Sequence, residues 1–247
     1  QAILRWSWWT GERIFDAQVL TCALLFEFGR PSTTPGEWAR VITDRRGVPN
    51  VPDALSTNGT LGDRCRLNAN FRDEYYGMVP AVGDHPSGPK LITSGLIDPS
   101  RCWWGDRPIT FAKRPFRRPR LDLAQLDAKM SRWASDRLVP KVLIANQTKI
   151  LEAVADADGS MLPGVPVVAA YPDAPDEQTG SELTWQIAAV LTSPLASAWA
   201  WHRSAGTGLS ADAIRVGPVV LVELPWPAGD LDDAVAALQS SDVRCCA

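Results

Sequence analysis

The stretch VPKVLIANQTKILEAVADADGSMLPGVPVV, residues 139–168, decides the fold. It holds three apolar runs: Val142 to Ala145, Thr148 to Val154, and a third from Val165 that continues to Tyr171. Apolar runs of this length, bounded by turn residues, predict strands. Asp156-Ala157-Asp158-Gly159 supplies the turn, because Asp bonds its own backbone and Gly tolerates left-handed geometry. Downstream, Ser181 to Arg203 predicts a helix lined by Leu183, Ile187, Val190, Leu191, Leu195, Ala198 and Trp199. Pro194 should kink or divide it, since proline lacks the N–H and clashes with the preceding turn.

Working outward, Gly206 to Gly208 reads as a loop, Ile214 to Leu224 as strand, and Asp232 to Leu238 as the start of a last helix. Upstream, Leu121 to Leu138 reads as an amphipathic helix, with Leu123, Leu126, Met130 and Trp133 on its apolar side and Pro140 beyond its end. Leu91 to Ser94 reads as a short strand after a loop at 83–89. Asp63 to Met78 reads as helix through Cys65, Leu67, Phe71 and Tyr75, with Gly77 ending it. Residues 47–62 read as loop, and Trp38 to Ile42 as strand. The segment GRPSTTPGE, 29–37, is a break and the expected domain boundary. Before it, Ile3 to Trp9 and Val19 to Phe28 form an apolar hairpin around Thr10 to Arg13, and such a hairpin cannot stand alone. The expectation is an α+β fold: residues 1–32 a terminal hairpin, and 33–247 a mixed, mostly antiparallel sheet with packed helices.

Composition excludes several classes. At 247 residues, 45% hydrophobic and 21% charged, the chain is an ordinary globular protein with room for a sizeable core. The five cysteines are scattered, with no C-x-x-C pair, which fits a reduced, cytoplasmic protein. Two histidines make a zinc site a poor reading. The run Val19 to Phe28 is too short to span a membrane and lacks the basic lead of a signal peptide. The chain begins at Gln1 rather than Met, as a processed or partial chain would.

The net charge of −3 conceals a basic block. Residues 101–120 hold Arg101, Arg107, Lys113, Arg114, Arg117, Arg118 and Arg120 against Asp106 alone, a net of +6. Guanidinium forks suit phosphate oxygens. Trp103, Trp104, Phe111 and Phe116 interleave with these charges, and aromatics so placed can stack on bases. An exposed loop whose aromatics pack inward has the same composition. Arg72, Tyr75 and Tyr76 form a second group: tyrosines read unstacked bases well, and equally well pack a helix end into a core. Asp98, Asp156 and Asp158 each sit in a turn context, which explains them better than acid–base chemistry. Gly206-Thr207-Gly208 lacks the strand and the Lys-Ser or Lys-Thr of a phosphate loop.

Several strings together resemble one family. They are FRDEYYGMVPAV (71–82), LITSGLIDP (91–99), WG followed by RPITFAKRPFRRP (104–119), the opening stretch 139–168, WQIAAVLTSPLASAWAWHRSAGTGLSADAIRV (185–216) and ELPWP (223–227). In order and spacing they look like the C-terminal, TaqI-like target-recognition region of adenine-specific DNA methyltransferases of actinobacterial type. The first thirty residues look like the last two strands of that family's catalytic domain. The resemblance implies double-stranded DNA as a partner, and a methyltransferase catalytic domain or subunit as another. It implies DNA contacts at Arg72, Tyr75, Tyr76, Arg101, Lys113, Arg114, Arg117, Arg118 and Lys141. Asn146, Gln147, Thr148 and Lys149 are expected near base edges, since amides and lysine read adenine and guanine. S-adenosylmethionine serves the intact family enzyme, whose Asn-Pro-Pro-aromatic motif holds the flipped adenine. This sequence holds no Asn-Pro-Pro, so the expectation is no catalytic residue and no cofactor in these 247 residues. A fragment of an intact enzyme, and a protein-interaction module with a merely solvated basic loop, remain as alternatives.

Overall fold

The computed structural model describes residues 2–9, 22–28, 37–51, 57–70, 72–210 and 212–241. The chain opens with an antiparallel hairpin, β1 (Ala2–Trp9) and β2 (Cys22–Phe28), with Ala2 opposite Phe28 and Trp9 opposite Cys22. Trp8, Leu25 and Phe28 are exposed on it. The turn expected at Thr10 to Arg13 lies outside the described residues, as does the break at 29–37 up to its last residue.

Where a strand was expected at Trp38 to Ile42, the chain forms α1 (Glu37–Arg46). Five residues are too few to separate the two periods. The basic last turn, Arg45 and Arg46, complements the helix dipole and extends the helix past the apolar run. The expected loop at 47–62 contains β3 (Thr57–Thr60) and a 3-10 turn at Leu61–Asp63, where the Asp63 carboxylate accepts from the Thr60 N–H at 2.7 Å.

The helix expected over 63–78 divides into β4 (Cys65–Ala69) and α2 (Arg72–Met78). Cys65 is buried while Arg66 and Asn68 are exposed, a period of two. Gly77 does not end a helix. It is a point of close approach, where a Cβ would lie 2.5 Å from the Met130 sulfur. Six short strands follow: β5 (Val82–Gly83), β6 (Lys90–Ile92), β7 (Ile97–Asp98), β8 (Arg101–Cys102), β9 (Ile109–Phe111) and β10 (Arg114–Phe116).

β11 (Arg120–Leu121) starts where a long helix was expected, and that helix shrinks to α3 (Ala128–Ser135). Two aspartates explain the change. Asp122 accepts from Ala124 N and caps a single 3-10 turn, and Asp127 accepts from Met130 N at 2.7 Å and caps α3.

The opening stretch gives β12 (Lys141–Ala145), β13 (Gln147–Thr148), β14 (Ala153–Asp156), β15 (Met161–Pro163) and β16 (Val167–Pro172). The single strand expected over Thr148 to Val154 is broken, because the Thr148 hydroxyl bonds the Ile150 carbonyl and turns the chain. The long helix divides at Ser193, as Pro194 predicted, into α4 (Glu177–Thr192) and α5 (Pro194–Ser204). Ser193 accepts from Ala196 N at 3.1 Å, and Pro194 occupies the first helical position, where its missing N–H costs nothing. The strand expected at Ile214 to Leu224 is interrupted. β17 (Ile214–Arg215), α6 (Pro218–Leu221) and β18 (Pro225–Pro227) replace it, with Pro218 starting the helical turn. α7 (Asp232–Ser241) closes the described chain.

The central sheet runs β14-β12-β16-β4, antiparallel throughout, with Val142 opposite both Ala155 and Ala170, and Val168 opposite Ala69. Both faces of β14, β12 and β16 are covered, so these strands read as continuous apolar runs, while the edge strand β4 alternates. Val142, Ile144, Ala155, Val168 and Ala170 face α4 and α5 with Ile187, Leu191 and Trp199. Leu143, Ala145, Val154, Val167 and Ala169 face residues from 72–138, among them Met78, Leu91, Leu96, Leu121 and Met130. A second sheet, β15-β6-β11-β5, pairs β15 with β6 in parallel. The fold is α+β with mostly antiparallel sheets, and the segment 72–138 forms a layer on one face of the central sheet. Among the described residues no helix is long and apolar enough to cross a membrane.

Candidate nucleic-acid interface

The basic segment folds into two small ribbons. β7 and β8 pair around Pro99-Ser100, and β9 and β10 pair around Ala112-Lys113. Their apolar residues point inward: Ile97, Cys102, Ile109 and Phe111 are buried. On β7–β8 the alternation of a strand sends Asp98 and Arg101 to the face opposite Ile97 and Cys102. On β9–β10 Arg114 shares a face with its register partner Phe111 and lies 5.9 Å from the Phe116 ring, and its long side chain is exposed.

The tryptophans act as platforms for the protein's own cations. The Arg101 guanidinium lies 3.3 Å from the Trp103 ring centroid and Arg107 lies 4.9 Å from it. Trp104 carries Lys90 at 5.1 Å and Arg120 at 4.7 Å. Each indole N–H has an acceptor: Trp103 donates to Asp98, and Trp104 to the Pro119 carbonyl at 2.8 Å. Cation–π contacts of this kind are worth about 0.5–1 kcal/mol at exposed sites. Trp103 and Trp104 are thus engaged within the protein, and the base-stacking role considered for them does not fit this geometry.

Carboxylates join the patch, Asp84 and Asp98 from outside the segment and Asp106 from within it. Asp98 pairs with Arg107 at 3.3 Å, and Asp106 lies 4.0 Å from Arg101. Asp84 accepts the backbone N–H of Arg117 at 3.1 Å and of Arg118 at 2.7 Å. The local charge is accordingly lower than the sequence block suggests. Lys113, Arg114, Arg117 and Arg118 are exposed, and among the described residues no carboxylate pairs with their side chains. No local motif flagged Asp84, which lies 33 residues from Arg117.

Tyr75 and Tyr76 divide the work. The Tyr75 hydroxyl accepts from Ala112 N at 3.0 Å, and its ring lies 4.8 Å from that of Phe111. Tyr75 therefore fixes the β9–β10 turn. Tyr76 meets Tyr75 edge-on at 5.3 Å, carries Arg72 at 5.4 Å, and is 57% exposed. The structure so gathers Arg72, Tyr75, Tyr76, Lys113 and Arg114 around one turn, with Arg101, Arg117 and Arg118 on the same segment.

Lys141 is a correction. Its side chain is fully buried and ion-paired with Asp156, its register partner on β14, so it cannot meet a phosphate. Burial lowers the Lys141 pKa and pushes Asp156 up to about 6, each opposed by the partner charge. Asp156 also accepts Ser160 N and Met161 N. Thr148 is a second correction: it is buried, with its hydroxyl bound to Ile150. Gln147 pairs with Arg215, and the Lys149 ammonium lies 3.7 Å from Asp212. The Trp201 indole holds the Lys149 carbonyl at 2.7 Å, and the Asn146 carbonyl accepts from Val216 N at 2.8 Å. This second group sits on the α5 side, and no hydrogen bond or ion pair joins it to 101–120 among the described residues.

Glu152 was not singled out by the sequence. Its carboxyl is pushed up to about 7 by burial and by Asp98, against the pull of Arg107. It therefore adjoins the Asp98–Arg107 pair where the ribbon layer meets the central sheet.

The Gly206–Gly208 loop is filled by its own chain. A Cβ at Gly208 would lie 2.1 Å from the Ala213 carbonyl, and the Thr207 hydroxyl takes Arg215 N at 2.9 Å. Packing within the loop accounts for the glycine and the threonine. Comparison with family models gave no match, and comparison with curated proteins gave none either.

Proposed function

We propose that this chain is the DNA-binding target-recognition part of an adenine-specific methyltransferase, of the kind used in restriction–modification or phage defence. One observation carries the reading. Among the described residues four exposed cations have no carboxylate partner: Lys113 and Arg114 on the β9–β10 ribbon, whose Ile109 and Phe111 are buried in the core, and Arg117 and Arg118 just after it, whose backbone Asp84 holds. Such an arrangement presents charge on a rigid support, as phosphate contacts require. The sequence resemblance supplies the family, and double-stranded DNA is the partner both arguments favour.

Methyl transfer in this reading belongs to a catalytic domain or subunit outside the 247 residues. The exposed Trp8 and Leu25, which the register puts on one face of the β1–β2 hairpin, offer that domain an apolar surface. Duplex of random sequence, followed by fluorescence anisotropy from low to physiological salt, tests the reading. Each phosphate neutralised adds about 0.9 to the slope of log affinity against log salt. R114A/R117A/R118A should therefore lower that slope by up to about 2.7. Affinity that does not change with salt would refute the proposal and favour a protein-interaction surface.

A further inference from the structure

The β9–β10 ribbon has features that phosphate binding does not need. Among the described residues its strands pair only with each other, Arg114 opposite Phe111 and Phe116 opposite Ile109. One face is anchored by buried Ile109 and Phe111, while Thr110 and Pro115 on the other face are exposed. At its tip Ala112 and Lys113 both take left-handed backbone angles, with φ of 49° and 63°. Two such residues in a two-residue hairpin ordinarily are Asn-Gly. Left-handed geometry is unfavourable for a residue with a Cβ. Sites that keep such strain are commonly functional.

We infer that this ribbon enters the major groove and that Lys113 reads the O6/N7 edge of a guanine. The inference rests on the DNA-binding reading above. The major groove, about 12 Å wide, admits a two-stranded ribbon, and lysine is a common reader of the guanine edge. Lys113 is exposed at the point farthest along the ribbon and engages no partner among the described residues. The Tyr75 hydroxyl on Ala112 N fixes the direction in which the tip points. Arg117 and Arg118, whose backbone is pinned by Asp84, remain for the phosphates.

The test separates base reading from phosphate binding. Wild type, K113A and A112N/K113G are each used to select from a random duplex pool, and the salt slope of each is measured. A112N/K113G restores a turn the backbone favours, so loss of lysine is read without loss of fold. Wild type should enrich a guanine at one position, and both variants should lose that enrichment with their salt slopes unchanged. Placing 7-deazaguanine at that position should weaken wild type by about fivefold or more and leave K113A unchanged. Guanine enrichment that survives in K113A overturns the inference. So does a slope lowered by about 0.9 with uniform weakening, which marks a phosphate contact. Salt-sensitive binding by wild type with no preference overturns the inference and leaves the DNA-binding reading standing. Absence of duplex binding by wild type overturns both.

Discussion

Replacing Lys141 by Met removes one half of a fully buried ion pair and leaves the other behind. Lys141 and Asp156 are both 0% exposed, and the ammonium also donates to the Val139 carbonyl at 3.1 Å. Met fills similar volume, so the loss is electrostatic rather than a cavity. Breaking a buried pair by removing one partner costs about 3–5 kcal/mol, because the remaining charge is stranded in low dielectric. With a urea m-value of about 3 kcal/mol/M, the midpoint falls by roughly 1–2 M. The pH dependence has a definite sign. Asp156 already titrates near 6, and losing the ammonium raises it further. A raised folded pKa stabilises fully below the unfolded value of about 4 and loses that stability as pH rises through the folded value. The K141M deficit should therefore widen from pH 6 to pH 8 in urea melts. K141M/D156N removes the stranded charge and keeps one amide oxygen to accept from Ser160 N or Met161 N, so it should recover about 1–2 kcal/mol of the loss. A deficit under about 1 kcal/mol at pH 8, with no widening, would refute the picture of a dry pair.

Three further outcomes are expected. Y75F deprives the half-buried Ala112 N–H of its acceptor, so it should cost about 1 kcal/mol and speed hydrogen exchange at Ala112, read by NMR. A112N/K113G should relieve the left-handed turn by about 1–2 kcal/mol and raise Tm by roughly 2–6 °C, read by calorimetry. E152Q removes a carboxyl whose folded pKa, about 7, lies above its ordinary 4.5. Wild type should lose stability as pH rises from 4.5 through 7, so E152Q should gain Tm relative to it at pH 8 and not at pH 4.5.

Long segments with strong punctuation were legible, and short ones were not. Pro194 and the periodicity of 181–203 gave two helices and their division. The runs at 142–145 and 165–171 gave the central strands, because burial on both faces makes them uniformly apolar. Cys65 to Ala69 misled, since five alternating residues that continue into a true helix match both periods. The 121–138 pattern overextended because Asp122 and Asp127 stop and restart the backbone locally. At the candidate site the sequence revealed the charges. It could not reveal that Trp103 and Trp104 are covered by those same charges, that Asp84 holds Arg117 and Arg118, or that Lys141 faces Asp156. Apart from the local contacts of Trp103 with Arg101 and Arg107, these depend on residues brought together from separate strands or loops.

The pairing of β4 with β16 also orders events in time. Ala69 and its partner Val168 are 99 residues apart along the chain. At about 5–20 residues per second, β4 waits roughly 5–20 s on the ribosome for the strand that completes its sheet. The whole basic layer, 72–138, is synthesised within that interval, before the surface it rests on exists. Closing so long a loop is slow, and its entropy is lost before the sheet rewards it. The acidic partners Asp84, Asp98 and Asp106 are made in the same interval as the arginines, so the nascent segment carries its own counter-charges while it waits.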